Sequence, residues 1–157
     1  MGVDPGLINT GYGIISFKDK DKEILDFGII TPTKGIPLSD RLNTIYNDIY
    51  SIISDYKPDC ISIEEVFYSN NIKTTLKLGQ ARGAVLIAAA QLNIKIYEYS
   101  ARKIKLSLTG NGSCNKSQVK FMVENTLNID MKEYKDDASD ALAAAICHEQ
   151  QFRYRDL

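Results

Sequence analysis

Tryptophan is absent from this sequence, histidine occurs once and proline four times. No apolar run is long enough to cross a membrane: the longest, AVLIAAA at 84–90, falls well short of the roughly 20 residues a spanning helix needs. The N-terminus lacks a basic start followed by an apolar core, so no secretory leader is expected. Three cysteines, Cys60, Cys114 and Cys147, lie far apart and make no CxxC pair. That odd, scattered set argues against a disulfide framework or a zinc site, and a reducing cytoplasm is the simplest compartment. Repeats, low-complexity tracts and linkers are missing too. The 157 residues suit a single domain, 1–157, able to bury a substantial core.

Net charge is equally unremarkable at −1, yet it is unevenly spread. Ser69 to Lys120 contains nine basic residues and one acid, Glu98, a segment charge of +8 that leaves −9 on the remainder. Such asymmetry points to a polyanion partner for one face. The plain alternative is a set of solvated helices whose charges cluster by chance.

Periodicity predicts the elements. A first short strand is followed by a second over 12–17 (YGIISF), a polar turn, and a third in ILDFGIITP. Ser39 is the expected N-cap of a helix carrying Leu42, Ile45, Ile49, Ile52, Ile53 and Tyr56 at helical spacing, stopped by Pro58. CISIEEVF (60–67) reads as a fourth strand and IKIYEYS (94–100) as a fifth. Between them lies a helix with a small-residue stripe that includes Gly79 and Gly83. Ser100 is expected to cap a short helix, Val119 to Leu127 mark another, and the last runs from about Asp137 through ALAAAICHEQ. A three-strand meander joined to strand–helix–strand gives an α/β chain: a mixed five-stranded sheet with helices on both faces. This is the plan of the ribonuclease H-like fold, which actin-like domains share.

In such a sheet the first and fourth strands lie side by side and parallel, and sites form beyond their carboxyl ends. Asp4 ends the first strand in GVDPGLINTGYG, and Glu64 stands near the end of the fourth. Asp137 and Asp140, three apart, share one face of the last helix. Four converging carboxylates repel one another unless cations sit among them, and hard oxygen donors suit Mg²⁺ or Mn²⁺. Two such ions can clamp the attacking and leaving oxygens of a phosphoryl displacement. Each acid taken singly has a simpler explanation as a turn, strand-end or helix-start residue. Strand alternation turns Glu65 away from Glu64, Asp136 reads as a helix cap, and His148 as a late-helix capping residue outside the site.

On these residues the sequence resembles the RuvC family of Holliday junction resolvases over nearly its whole length. The matching blocks are GVDPGLINTGYG, IEEVF at 63–67, LKLGQARGAV at 76–85, KSQV at 116–119 and DDASDALAAAICH at 136–148. The resemblance implies that Asp4, Glu64, Asp137 and Asp140 are the catalytic, metal-binding acids, holding two Mg²⁺ per site with Mn²⁺ able to substitute. It implies DNA-binding roles for Phe67, inserted near the junction centre, and for Lys105 and Lys116 at DNA phosphates. It also implies paired, symmetric nicks in four-way DNA during recombination and repair, a homodimer, the RuvA–RuvB branch-migration complex as partner, and the bacterial cytoplasm.

Two departures stand out. Only three residues precede Asp4, short for a central strand, so the natural chain is expected to begin a few residues upstream of Met1. Cys114 occupies a loop position where a small or polar residue is expected. Three other readings stay open: a different ribonuclease H-like nuclease acting on hybrids, duplexes or ribosomal RNA; an actin-like ATPase, for which 157 residues are too few; and a junction-binding module without catalysis.

Overall fold

Two short runs that alternate apolar with small or polar residues lie side by side at the centre of the molecule: β1 (Gly2–Asp4) and β4 (Cys60–Glu64). The computed structural model, which describes residues 1–18, 21–65 and 71–153, pairs them in parallel, Gly2 opposite Ser62 and Val3 opposite Ile63. β2 (Thr10–Lys18) runs antiparallel to β1, and β3 (Asp21–Ile30) antiparallel to β2. β5 (Lys95–Tyr99) lies parallel to β4. The order β3-β2-β1-β4-β5 is the mixed five-stranded sheet of the ribonuclease H-like plan.

Strand alternation sorts the side chains into two cores. Val3, Ile61 and Ile63 point to one face and are fully buried there with Ile45, Ile49 and Ile53 of α1 (Leu38–Tyr56). Ala81, Ala84, Val85, Ala88 and Ala89 of α2 (Ile72–Gln91) complete that layer. The opposite face is covered by α5 (Asp136–Arg153), against which α3 (Ala101–Thr109) and α4 (Lys116–Leu127) pack. Leu142, Ile146, Val123 and Met131 are fully buried in this second core. Cys114 joins them at 4% exposure, so its loop position calls for a small apolar group, and a thiol supplies one.

The glycines of the first hairpin explain how closely α5 approaches the sheet. A Cβ built at Gly2 would overlap the carbonyl of Ala141, one at Gly11 the carbonyl of Asp137, and one at Gly13 the side chain of Leu142. All three residues lie on the α5 face, where helix backbone, or at Gly13 the Leu142 side chain, takes the space a side chain would fill. Ala138, Ala141 and Ala145 supply the matching small surface on α5 and are buried.

Local details depart from the sequence reading. α1 starts at Leu38 with Pro37 in the cap position, whose carbonyl accepts from Asp40 and Arg41 N–H. Ser39 lies inside the first turn and its hydroxyl donates to Asp40 instead. Pro37 itself is extended, φ −52° and ψ 152°, and no side chain caps this helix start. α4 opens on a capping box between Asn115 and Gln118, which satisfies two backbone donors reciprocally. Asp136 is the first residue of α5, not a residue ahead of it. β4 ends at Glu64, so Glu65 does not continue the strand as expected, and 66–67 lie outside the described residues. Among the described residues no helix is long and apolar enough to cross a membrane.

Candidate metal centre

Register places the first two acids. Asp4 and Glu64 are the last residues of two parallel neighbouring strands, on the same α5-facing side as Gly2 and Ser62. Continuing the pairing of Gly2 with Ser62 and Val3 with Ile63 brings them opposite each other. α5 brings the other two. Its first turn lies on Gly11, so the Asp137 backbone rests on the hairpin, and Asp140 follows one turn later on the same side.

Asp4, Glu64, Asp140, Lys105 and Lys116 line one cleft of about 200 Å³, with Ala101, Ile104, Val119 and Ala143 as its apolar wall. Burial, and then the carboxylates of Asp140, Glu64 and Asp137 in that order, push the Asp4 carboxyl up to about 7, with Lys116 opposing them. Burial and Asp140 also raise the Glu64 carboxyl, opposed by Lys116 and Lys105. Asp4 is thus within electrostatic reach of all three other acids. Asp137 lines a neighbouring cavity with Gly6, Leu7, Ile8, Asn9, Thr74, Lys77 and Leu78.

Cations from the chain already serve this cluster. The Lys116 ammonium donates to Asp140 Oδ2 at 2.7 Å, and this contact, more than any other cause, holds the ammonium's proton more tightly than usual. Asp137 Oδ2 accepts from Asn9 Nδ2 at 3.4 Å. Among the described residues no three His, Cys, Asp or Glu side chains are drawn together as a ready metal cage. Asp140 is instead held by Lys116 and Asp137 by Asn9. The donor chemistry nonetheless fits a hard divalent cation. Three carboxylates surround half-buried Asp4, which cannot ionise cheaply without one, and an exposed lysine can withdraw to make room.

Sequence reasoning missed the residues that brace the site. Thr10 is buried; its hydroxyl donates to the Gly6 carbonyl at 2.8 Å and accepts the Gly6 N–H at 3.2 Å, closing the 6–10 turn on itself. Arg41 of α1 donates to the Leu7 carbonyl in the same turn. Asn9 contacts Asp137 directly. A lone asparagine or threonine between glycines is ordinary turn chemistry, so no sequence signal separated them from a plain turn. Phe67 lies outside the described residues.

His148 is not a helix cap. Its Nε2 lies 3.0 Å from Cys60 Sγ and its Nδ1 2.7 Å from Tyr99 Oη, with Tyr97 and Phe152 stacked around the ring. It stands eight residues beyond Asp140, about 12 Å along the helix, and takes no part in the carboxylate cleft.

Comparisons with known proteins agree on one family. The family model described as Crossover junction endodeoxyribonuclease RuvC matches residues 1–148. Proteins of that name from Ruminiclostridium cellulolyticum and Alkaliphilus oremlandii are 42% and 43% identical to this chain; the alignments cover 98% and 94% of it and 92% and 90% of those proteins. A solved structure, T. thermophilus RuvC in complex with Holliday junction substrate, superposes with a TM-score of 0.91 at 27% identity, covering 98% of this chain and 94% of the other.

Proposed function

The chain belongs to the RuvC family of crossover junction endodeoxyribonucleases, and from that membership and its carboxylate cleft we propose how it resolves Holliday junctions in recombination and repair. Residues 1–157 act as one nuclease domain. Asp4, Glu64, Asp137 and Asp140 are its catalytic and metal-binding residues. The observation that carries this is Asp4, a half-buried acid raised to about 7 by burial and by three other carboxylates. A proton or a bound cation must offset such an arrangement, and a cation does so while leaving the carboxylates charged as ligands.

Two Mg²⁺ ions, or Mn²⁺ in their place, would be held by these four acids and supply Lewis-acid activation of water and charge neutralisation at the leaving oxygen. The chain's own residues do the rest. Asp4 and Glu64, fixed at the ends of paired strands, set one side of the cleft; α5, seated on the glycines, sets the other. Lys105 and Lys116 face the phosphate across it. Phe67, just beyond β4, is the residue we assign to the junction's unpaired centre.

Paired nicks need two equivalent sites, which a C₂ homodimer supplies. Support comes from α2, where Ile72, Leu76 and Ile87 are 74%, 61% and 57% exposed and Gly79 and Gly83 face open space. These positions recur every three or four residues, the spacing of a helix–helix seam. The RuvA–RuvB complex is the further partner we carry from the family, and the bacterial cytoplasm the compartment. The free thiols of Cys60, Cys114 and Cys147 suit such a compartment.

The test is a labelled four-way junction titrated with and without Mg²⁺. Wild type should give symmetric paired nicks only with the ion. Asp4→Asn, Glu64→Gln, Asp137→Asn and Asp140→Asn should each lower the cleavage rate by about 100-fold or more while retaining junction binding in metal-free buffer. Wild-type rates in any one of them remove that residue from the site.

A further inference from the structure

Asn9 sits in the turn between β1 and β2, and three elements meet at its side-chain amide. Oδ1 accepts from Thr31 Oγ1 at 3.2 Å, just beyond β3, and from Lys135 Nζ at 3.2 Å, just ahead of α5. Nδ2 donates to Asp137 Oδ2 at 3.4 Å. We propose that Asn9 is a positioning residue: Thr31 and Lys135 fix the orientation of its amide, and that amide holds the Asp137 carboxylate for the metal centre. The inference rests on the reading of Asp137 as a metal ligand.

The argument begins with the donors. An ammonium can only donate, so the amide atom facing Lys135 must be the oxygen. The amide nitrogen must then face Asp137, whose carboxylate can only accept. A flipped amide would set N–H against ammonium and carbonyl against carboxylate, losing both charged contacts; the Thr31 hydroxyl, which donates or accepts, holds the amide in place without choosing its face. The turn that carries Asn9 is itself braced by the buried Thr10 hydroxyl on Gly6 and by Arg41 on the Leu7 carbonyl. Asn9 is therefore mounted on a fixed support and not on a loose loop.

Lys135 acts at one remove. Its ammonium bonds the amide oxygen, and Asp137 enters none of the ion pairs found among the described residues. Asp137 is thereby oriented by a neutral donor and keeps its full charge for a cation, whereas Asp140 is tied to Lys116. Hydrogen bonds to metal-ligating carboxylates commonly fix their orientation and tune the affinity of the site.

The experiment measures Mn²⁺ binding to the DNA-free protein by calorimetry, alongside thermal melts in EDTA. Asn9→Ala should weaken Mn²⁺ binding about 10-fold, the low end for such supporting contacts because this one is long. Its melting temperature in EDTA should fall by only a few degrees, since two of the three hydrogen bonds lost are exposed and the third is partly so. Thr31→Val, which leaves Lys135 to orient the amide, should weaken Mn²⁺ binding about 3-fold, and it decides the matter if Asn9→Ala folds poorly. Junction affinity in EDTA should not change in either variant. Wild-type Mn²⁺ affinity in both variants overturns the proposal and leaves the metal centre standing. If the wild type itself binds no Mn²⁺, the metal centre and the role of Asn9 fall together.

Discussion

Asp4 links folding to pH and to cations. Its carboxyl is raised from 3.8 to about 7 in the folded chain, so between those values the native state holds a proton that the unfolded state has released. The Asp4 contribution to the stability of the metal-free protein is therefore largest in acid and declines as pH rises from about 4 to 7, where Asp4 is forced to ionise beside Asp140 and Glu64. The full shift corresponds to roughly 4 kcal/mol as an upper bound. Asp4→Asn removes the ionisation while keeping the shape. In EDTA at pH 8 it should melt several degrees above wild type, at about 2–4 °C per kcal/mol for a domain of this size. At pH 5 the two should melt together. Added Mg²⁺ at pH 8 should raise the wild type and leave Asp4→Asn nearly unmoved. Identical melting curves for the two proteins at pH 8 in EDTA would show that Asp4 is not strained by its neighbours.

At the scale of elements, the site is a consequence of how α5 lies on the first hairpin. Gly11→Ala puts a methyl into the carbonyl of Asp137, which is backbone and cannot swing aside. Overpacking of this kind costs about 1–3 kcal/mol and shifts α5, so both stability and cleavage should fall. Gly83→Leu is the contrasting case. Nothing lies within 4 Å of a Cβ at Gly83, so the isolated fold tolerates it, but a seam across α2 would not. Sedimentation at micromolar concentration should show wild-type dimers and Gly83→Leu monomers with unchanged far-UV circular dichroism; a Gly83→Leu dimer would move the interface off this stripe. These glycines also mark what could be read from the sequence. Strand and helix periods placed all five strands and all five helices of the described residues in order, and strand-end position with i, i+3 spacing selected the four acids. The motif GVDPGLINTGYG displayed Gly2, Gly11 and Gly13 without revealing that α5 fills the space of their missing side chains. That depends on a helix more than 120 residues away. The Pro37 start of α1, the placement of His148 between Cys60 and Tyr99, and the Asn9 contact were illegible for the same reason: each is decided by a partner distant in sequence or by the local start of a helix.

Across the whole molecule, the +8 segment is less positive than its sequence count. Lys120 pairs with Asp136 at 3.5 Å and Lys116 with Asp140 at 2.7 Å, both acids outside the segment, while the Arg82–Glu98 pair at 2.5 Å is already in the count. Lysines that line the cleft therefore differ in what they can offer a phosphate. Lys105 is coupled to Glu64 only at a distance, whereas Lys116 is committed to Asp140 for as long as no divalent ion relieves that carboxylate. Each phosphate contact contributes about 0.9 to the slope of log affinity against log salt, through counterion release. Lys105→Ala should lower that slope by about 0.9 with or without a divalent ion. Lys116→Ala should leave it nearly unchanged in EDTA and lower it by a similar amount in Ca²⁺, once the ion takes over Asp140 and frees the ammonium. Lys18→Ala, at the exposed end of β2 in the acidic remainder, serves as the control and should alter neither slope. A Lys116→Ala slope that drops equally in EDTA and in Ca²⁺ would mean that DNA alone breaks the Lys116–Asp140 pair, and that metal loading and phosphate capture are independent in this protein.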